Sequence, residues 1–213
     1  MKDILDNFRD SHHEFNQNGD GTFGENPLEI FKAWFENAAK GDDHEANAFV
    51  LSTSSLENQS STRIVYLKEI IDDKFVFYTN YSSQKGKEIA ENPKVAMLFF
   101  WPTRSQQIRI EGTCTKVDEA VSDAYFESRP RGSKIGAWAS IQSDLLESRE
   151  DLEARVDEYE KKFGDTIPRP SHWGGYQIEP VSFEFWLGKK SRLHERLVFR
   201  KKNEAWVMSH KNP

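Results

Sequence analysis

Two groups of basic and hydroxyl residues in this sequence have the chemistry of phosphate-binding sites. The first combines Arg63, in the segment RIVYLK, with Lys85 and the preceding Ser82 and Ser83. Lys85 lies in the first turn of a short helical pattern, Gln84–Glu91, where unpaired backbone N–H groups and the helix dipole attract anions. This group predicts a phosphate pocket. An ordinary serine N-cap beside a solvated lysine would give the same local pattern.

The second group contains Tyr125 and Arg129, which are four residues apart and would share a helix face, followed by Ser133 beyond Pro130. A guanidinium binds a phosphate monoester through two hydrogen bonds, and each hydroxyl adds one. A pair on a helix surface beside a turn is the alternative. A phosphorylated cofactor and a phosphorylated substrate together would need two such groups.

A third basic group lies in the segment SRLHER, where Arg192, His194 and Arg196 alternate with other residues. On a strand these three side chains would project from one face. Three neighbouring basic groups repel each other unless an anion or an electron-rich ring faces them. With Trp186 on the neighbouring predicted strand, this face is expected to look onto a ligand, and a solvated edge strand is the alternative.

Alternating apolar residues predict a mainly β architecture. Residues 62–68 and 75–79, with Asp72 and Asp73 between them, have the pattern of an antiparallel hairpin. Five predicted strands follow one another with few helices between them, which favours an antiparallel barrel with peripheral helices, an α+β arrangement. The other predicted strands cover residues 48–54, 95–101, 104–117, 175–179, 182–186, 193–199 and 205–208.

Helix signals occur at five places. Asn26 is a predicted cap before Pro27, and Gly41 follows the last apolar position of that helix. A second helix is the short one that begins beside Lys85. Residues 118–128, 133–140 and 148–163 complete the set, and the last of these has an apolar stripe expected to cover the barrel. Trp138 is expected in the core, and the dipeptide His172-Trp173 at a structural corner.

Length and composition limit the possible classes of protein. The 213 residues suit one domain, residues 26–213, preceded by a polar flexible arm, residues 1–25. A net charge of -6 argues against nucleic-acid partners and anionic membranes. No membrane-spanning or secretory segment is apparent, and Cys114 is the single cysteine, so a cytoplasmic location is predicted. No metal constellation is apparent.

Several segments, in order, resemble the pyridoxamine 5′-phosphate oxidase family, which are FMN enzymes of vitamin B6 metabolism. These segments are RIVYLK, FYTNYSSQKG, QIRIEG, YFESRPRGSKIGAWASIQS, HWGGY, EFW and RLHER, and the likeness runs from about Asn26 to the C-terminus. It implies an FMN-binding split β-barrel homodimer. It also implies oxidation of pyridoxamine or pyridoxine 5′-phosphate to pyridoxal 5′-phosphate, with dioxygen as acceptor and hydrogen peroxide as product.

The resemblance also implies roles for individual residues. FMN contacts would come from Arg63, Ile64, Val65, Tyr66, Leu67, Lys68, Tyr78, Thr79, Gln84, Lys85, Gln107, Gln142, Ser143, Trp186 and Arg196. Substrate contacts would come from Lys68, Tyr125, Arg129, Ser133, Arg192 and His194, with Arg192 and His194 as the catalytic pair.

The sequence departs from the family pattern in several places. Tyr66 stands where leucine is more common, and Gln84 where some members have arginine. Arg9 and Phe15 match the family's N-terminal arm too loosely to carry a role, and the ending SHKNP differs from the usual Arg-Leu-x-Pro. The rival functions are a related flavin enzyme with another substrate and a non-catalytic flavin-binding protein. Neither rival needs the second group of phosphate-binding residues, so the presence of that group favours the oxidase.

Overall fold

The computed structural model describes residues 24–41 and 45–213. Most of the predicted arm, including Arg9 and Phe15, therefore lies outside the described residues. The helices are α1 (Pro27–Lys40), α2 (Gln84–Glu91), α3 (Glu119–Glu127), α4 (Arg131–Ala139) and α5 (Arg149–Lys162). The strands are β1 (Ala48–Ser54), β2 (Ser60–Tyr66), β3 (Glu69–Ile71), β4 (Lys74–Asn80), β5 (Lys94–Trp101), β6 (Gln106–Lys116), β7 (Trp173–Leu187), β8 (Glu195–Lys202) and β9 (Ala205–His210).

The described strands form one curled antiparallel sheet in the order β2-β1-β5-β6-β7-β4-β3, with β8 and β9 continuing from β7. β7 is central to the curl because β4 pairs with its first part and β8 with its last part. The predicted mainly β architecture with peripheral helices is confirmed. The division of the chain into an arm and a single domain stays a prediction.

The predicted hairpin between residues 62–68 and 75–79 is wrong in its first strand. Asp72 and Asp73, both with positive φ, form the turn that joins β3 to β4. The preceding strand β2 pairs instead with β1, where Arg63 lies opposite Leu51. Alternation predicts that a segment is a strand and does not specify its partner, which is set by long-range packing.

The two strands predicted at 175–179 and 182–186 are a single strand, β7. A register shift between Glu111 and Gly112 on β6 places Gly112 opposite Pro180 and leaves Val181 without a partner in the ladder. A proline cannot donate to the ladder, and a bulge is where a sheet tolerates it. Pro180 therefore bends β7 without ending it.

The core lies on one face of this sheet, against α1. Phe31 and Trp34 of α1 pack edge-to-face on Phe99 and Phe185, respectively, and all four side chains are buried. Asn26 caps α1 and Gly41 follows it, as predicted.

The helix α5 does not cover the barrel. It has no buried residue and packs against α4, with Tyr159 beside Trp138 in a smaller apolar cluster. Its acidic and basic residues outnumber its apolar ones, so its stripe is too narrow to bury. Trp138 is partly buried there and donates its indole N–H to the Pro168 carbonyl.

Candidate active site

A cavity of about 410 Å³ opens between β2, β4 and α2. All of its lining residues belong to the set that the family resemblance assigns to FMN. They are Arg63, Ile64, Val65, Tyr66, Lys68, Tyr78, Thr79, Lys85 and Gln142. The fold therefore brings together residues that are up to 79 positions apart in the sequence, from Arg63 to Gln142.

Lys85 is the buried cation of this cavity. Its ammonium group donates to Thr79 Oγ1 at 3.1 Å, Ser83 Oγ at 3.2 Å and Gln142 Oε1 at 2.9 Å, which are all neutral acceptors. Burial, helped by the nearby charge of Arg63, lowers the pKa of Lys85 to about 8. A buried ammonium bonded only to neutral oxygens favours a nearby anion. Ser83 does cap α2, but the lysine beside it is not solvated.

Arg63 lies beside this cation and is itself fixed by a buried carboxylate. Its guanidinium forms an ion pair with Glu88 at 3.3 Å and donates to Thr53 Oγ1 at 2.5 Å and Ser61 Oγ at 2.6 Å. Burial opposes ionisation of Glu88, but hydrogen bonds from Ser61, Thr53 and Gln84 lower its pKa below the ordinary value. Glu88 therefore holds Arg63 at the cavity wall.

Tyr78 connects this cavity to the second group of predicted phosphate-binding residues. Its ring is stacked on Tyr125, with 3.7 Å between ring centroids and 4° between planes. The Tyr78 hydroxyl donates to Glu69 Oε1 at 2.8 Å. Burial, reinforced by this bond, raises the pKa of Tyr78, so the phenol stays protonated at neutral pH.

Arg129 lies beyond the end of α3 and not on its face, but it still reaches the same aromatic cluster. Its guanidinium stacks over the ring of Trp173, 4.4 Å from the centroid. Its Nη1 atom is buried and has no hydrogen-bond partner. Burial lowers the pKa of Arg129, partly offset by Tyr125. A buried guanidinium nitrogen without an acceptor is a place where a phosphate oxygen would bind.

The remaining predicted residues near the cavity vary in exposure. Ser133 is exposed in the first turn of α4, and Gln84 is exposed and donates to Glu88 Oε1 at 3.0 Å. Ser143, with a φ of 75°, is exposed beside Gln142. The side chain of Leu67 is buried in the core and does not line the cavity.

The C-terminal group is elsewhere on the sheet. Gln107, Trp186 and Arg196 are paired directly across β6, β7 and β8, so they share one face. Arg192 and His194, however, precede β8: Arg192 has a φ of 59° and ends a 3-10 turn. The predicted row of three basic residues along one strand is therefore wrong, because the chain turns before the strand begins.

His194 nevertheless reaches this group through its ring. It lies 4.6 Å from the Trp186 ring centroid, and its Nδ1 accepts a hydrogen bond from the Lys189 backbone N–H at 3.2 Å. Burial and the charge of Arg192 lower the pKa of His194. With Nδ1 acting as acceptor, the proton of the neutral ring is on Nε2.

The two groups of predicted cofactor residues lie at opposite ends of β7. Tyr78 pairs with Gly175 near its start, whereas Trp186 is eleven residues further along. An extended strand rises about 3.3 Å per residue, so this separation reaches roughly 35 Å along the strand, less any shortening by coiling. None of Gln107, Trp186 or Arg196 lines the cavity.

Comparison with known sequences identifies the family. Residues 36–163 match the family model described as pyridoxamine 5′-phosphate oxidase, which is more than half of the chain. The chain belongs to the pyridoxamine 5′-phosphate oxidase family. Residues 173–213 match a second model, the C-terminal dimerisation region of pyridoxine 5′-phosphate oxidase.

Relatives in this oxidase family are similar over most of their length. A pyridoxine/pyridoxamine 5′-phosphate oxidase from Leptospira biflexa is 48% identical over 193 residues, covering 90% of this chain and 91% of the relative. The oxidase 1 of Ralstonia nicotianae is 50% identical over 180 residues, covering 84% and 85%. The similarity to both relatives therefore extends over at least 84% of this chain.

Solved structures agree with this assignment. PhzG from Burkholderia lata, crystallised with tetrahydrophenazine-1-carboxylic acid, is 30% identical with a TM-score of 0.85, covering 89% of this chain and 94% of that one. An FMN-binding protein from Nostoc punctiforme, 14% identical, has a TM-score of 0.71 and covers 90% and 100%. The second likeness shows the split-barrel fold alone.

Four residues near the site were not predicted to function there. Glu88 fixes Arg63, Glu69 fixes Tyr78, Trp173 supports Arg129, and Glu184 binds Arg196. Two of them could have been predicted from spacing. Glu184 is two residues from Trp186 and so shares its strand face, and Glu88 is four residues from Gln84 and so shares its helix face. The other contacts depend on tertiary structure. Among the described residues, no group of His, Cys, Asp and Glu could hold a metal ion.

Proposed function

We propose that this chain is an FMN-dependent oxidase that converts pyridoxamine or pyridoxine 5′-phosphate to pyridoxal 5′-phosphate. One observation carries this: Lys85 and Arg129, two separate cations that could each bind a phosphate, are linked by the Tyr78–Tyr125 stack, since Tyr78 lines the cavity of Lys85 and Tyr125 interacts with Arg129. A flavin mononucleotide and a phosphorylated substrate bring two phosphates to one site. The family and its similarly long relatives support the same activity.

The cavity fits the phosphate end of FMN. Lys85 supplies a desolvated cation whose present acceptors are neutral, and Arg63 supplies a guanidinium held in place by Glu88. A phosphate would compensate the burial of Lys85 and restore its full charge. Thr79, Gln142 and residues of β2 line the same cavity and would bind the rest of the cofactor. The chemistry supplied by bound FMN would be that of a hydride acceptor toward the 4′ carbon of the substrate, with dioxygen as the final acceptor and hydrogen peroxide as product.

The substrate phosphate is assigned to Arg129, Tyr125, Ser133 and Lys68. Arg129 is stacked on Trp173, which fixes the plane of its guanidinium while Nη1 stays without an acceptor. Tyr125 is held by its stack on Tyr78, and burial raises its pKa, so it is a hydroxyl donor at neutral pH. These groups bind and orient; they do not exchange protons with the reacting carbon.

Arg192 and His194 are assigned to the reacting end of the substrate. His194 is neutral at neutral pH, because its pKa is lowered, and its Nδ1 is engaged by the Lys189 backbone N–H. Its proposed role is therefore to position the substrate over the flavin and not to remove a proton. Orientation of this kind has a steep effect on the rate of transfer.

The protein is a homodimer, and two copies are needed to complete each site. Tyr78 on β4 pairs with Gly175 near the start of β7, whereas Trp186 lies near the end of β7, so Trp186, Arg196 and Gln107 would reach FMN from a second copy. A two-fold dimer makes this exchange reciprocal and produces two equal sites. The match of residues 173–213 to a dimerisation region supports this arrangement.

One face of the sheet is suited to that contact. Phe100 pairs with Gln107, and Val50 pairs with both Ile64 and Leu98, so these residues share the face that carries Trp186. Ile64 is 65% exposed and Phe100 57% exposed, beside an apolar hollow of about 390 Å³. We call this the open face. Exposed contiguous apolar surface of this kind marks an interface.

Incubation of the FMN-loaded protein with pyridoxamine 5′-phosphate in air tests the function. Formation of the aldehyde product with an equal amount of hydrogen peroxide is expected. A flavin that is not reduced by either vitamer in the absence of oxygen would favour a non-catalytic flavin protein. Reduction by unphosphorylated pyridoxamine at the same efficiency would favour another substrate.

A cytoplasmic location is part of the proposal. No described helix is long and apolar enough to cross a membrane. Cell fractionation that follows pyridoxal 5′-phosphate formation would test the location.

A further inference from the structure

The buried carboxylate of Glu184 is surrounded by three basic side chains. Arg196 donates to its Oε1 through Nε at 2.9 Å and also through Nη2. The other oxygen, Oε2, accepts from Lys211 Nζ at 3.2 Å and Arg109 Nη1 at 3.5 Å. Each oxygen therefore has its own partners, and the carboxylate cannot rotate toward Arg196 or away from it without breaking bonds.

The C-terminal residues hold Arg196 from a second direction. The Asn212 carbonyl accepts from Arg196 Nη1 at 3.1 Å, and the Lys211 backbone N–H donates to the Arg196 carbonyl at 3.0 Å. Lys211 and Asn212 follow the end of β9 and are exposed. They form a strap, residues 211–212, that closes over the pair of Glu184 and Arg196.

These bonds determine which donors of Arg196 are left for a ligand. A guanidinium has five N–H groups, and the bonds to Glu184 and Asn212 use three of them, one on each nitrogen. The two others lie on Nη1 and Nη2. A long arginine side chain without such anchors loses considerable rotamer entropy when it binds a ligand, and anchoring it beforehand reduces that cost.

We propose that Lys211 is a positioning residue for Arg196: acting through Glu184, the C-terminal strap of one copy sets how tightly the flavin of the second copy is held. The inference rests on the proposed function, in which Arg196 contacts FMN. It extends that function by making the C-terminus, where the sequence departs from the family pattern, part of the cofactor site.

Electrostatics agree with a role beyond packing. Burial opposes ionisation of Glu184, but hydrogen bonds from Arg196 and Lys211 hold its pKa below the ordinary value. Without Lys211, Oε2 would keep only the longer bond from half-exposed Arg109. The carboxylate could then turn, and Arg196, still bonded to the Asn212 carbonyl, would be held less rigidly while keeping its charge.

The test measures the FMN dissociation constant of the apoprotein by quenching of flavin fluorescence. Lys211→Met is expected to weaken FMN binding by roughly three- to tenfold, toward the low end of the effects of coupled neighbours, and Lys211→Arg should restore it. The matched control is Lys201→Met, which removes a lysine paired with Glu179 at 3.3 Å on the adjoining strand but not joined to Glu184. This control should bind FMN as the wild type does.

A double-mutant cycle separates positioning from general structure. In an Arg196→Met background, Lys211→Met should have no further effect on FMN binding. An undiminished effect there, or equal constants for Lys211→Met and Lys201→Met, would overturn the inference and leave the oxidase function intact. If Arg196→Met alone bound FMN normally, the contact of Arg196 with FMN would be wrong, and the inference with it. Product formation from pyridoxamine 5′-phosphate tests the function separately.

Discussion

The rings of Tyr78 and Tyr125 lie parallel, with 3.7 Å between their centroids. This stack joins the two groups of predicted phosphate-binding residues. Tyr78 lines the cavity that contains Lys85, and Tyr125 belongs to the group of Arg129. The Tyr78 hydroxyl is bound to Glu69, which fixes the ring from the other side. We therefore expect binding of the cofactor and binding of the substrate to depend on one aromatic contact.

Two replacements of Tyr78 should distinguish the contribution of its ring from that of its hydroxyl. Tyr78→Phe keeps the stack and should change the Michaelis constant for pyridoxamine 5′-phosphate little. Tyr78→Leu removes the stack, and an aromatic pair contributes about 0.5–1.5 kcal/mol beyond burial, so that constant should rise several-fold. Steady-state kinetics at saturating FMN measure both. Equal constants for the two variants would show that the stack does not hold Tyr125.

Arg63→Met should release FMN. Truncating one member of a buried charge pair costs about 2–5 kcal/mol, and here it removes a phosphate donor and leaves Glu88 without its cation. The variant should elute without flavin from gel filtration, and its apoprotein should unfold at a lower temperature.

The double variant Arg63→Met/Glu88→Gln distinguishes the two effects. It should recover much of the lost thermal stability, because no uncompensated carboxylate is buried, but it should not recover flavin. Full retention of FMN by Arg63→Met would contradict the assignment of Arg63 to the phosphate.

FMN binding should weaken with increasing pH. The pKa of Lys85 is lowered to about 8 in the protein without ligand, and a bound phosphate dianion favours the protonated lysine. Above pH 8, binding must therefore take up a proton, and the dissociation constant should rise toward tenfold per pH unit. Fluorescence titrations between pH 7 and pH 10 measure this.

Lys85→Gln is the matched variant for that titration. It should bind FMN more weakly at pH 7 and show little change across the same range. A pH dependence equally steep in the wild type and in this variant would assign the proton to another group.

Arg129→Leu and Arg192→Ala should affect different kinetic constants. Arg129 is assigned to the substrate phosphate, remote from the 4′ carbon, so its loss should raise the Michaelis constant far more than it lowers turnover. Arg192→Ala and His194→Ala should lower turnover. Stopped-flow reduction of the flavin without oxygen measures the transfer directly.

The control for this pair is Arg149→Leu, which removes an exposed arginine paired with Glu153 on α5. Neither constant should change. If Arg192→Ala reduced its flavin at the wild-type rate with saturating substrate, while Arg129→Leu did not, the two roles would be assigned the wrong way round.

Disruption of the open face should separate the two copies and, at the same time, release the cofactor. Phe100→Asp places a charge on a side chain that is 57% exposed in the single chain and buried in the expected dimer. Light scattering should change from about twice the 24.7 kDa chain mass to the single mass, with FMN lost in parallel. Leu56→Asp, at an exposed turn position between β1 and β2, should leave both unchanged. A flavin-loaded monomer at micromolar concentration would contradict a site shared between copies.

The sequence alone determined features that depend on local physical chemistry. Alternation and turn residues predicted most strands. Asn26 and Ser83 were recognisable as helix caps. The residue types indicated two groups of phosphate-binding residues. The order of the family's segments indicated the split barrel and its cofactor. Each of these signals lies within a few neighbouring residues or in their order along the chain, so no knowledge of the folded structure was needed.

Tertiary structure decided how those parts are combined. β2 pairs with β1 and not with β4, β7 continues through Pro180, and Arg192 lies in a turn, because distant contacts override local pattern. The environment of Lys85 depends on Gln142, which is 57 residues away. The pairing of Tyr78 with the start of β7, far from Trp186 near its end, likewise cannot be read from the sequence. This separation is decided by the folded chain, since an extended strand holds its ends apart, and it is the reason we propose that a second copy brings Trp186 to the ligand.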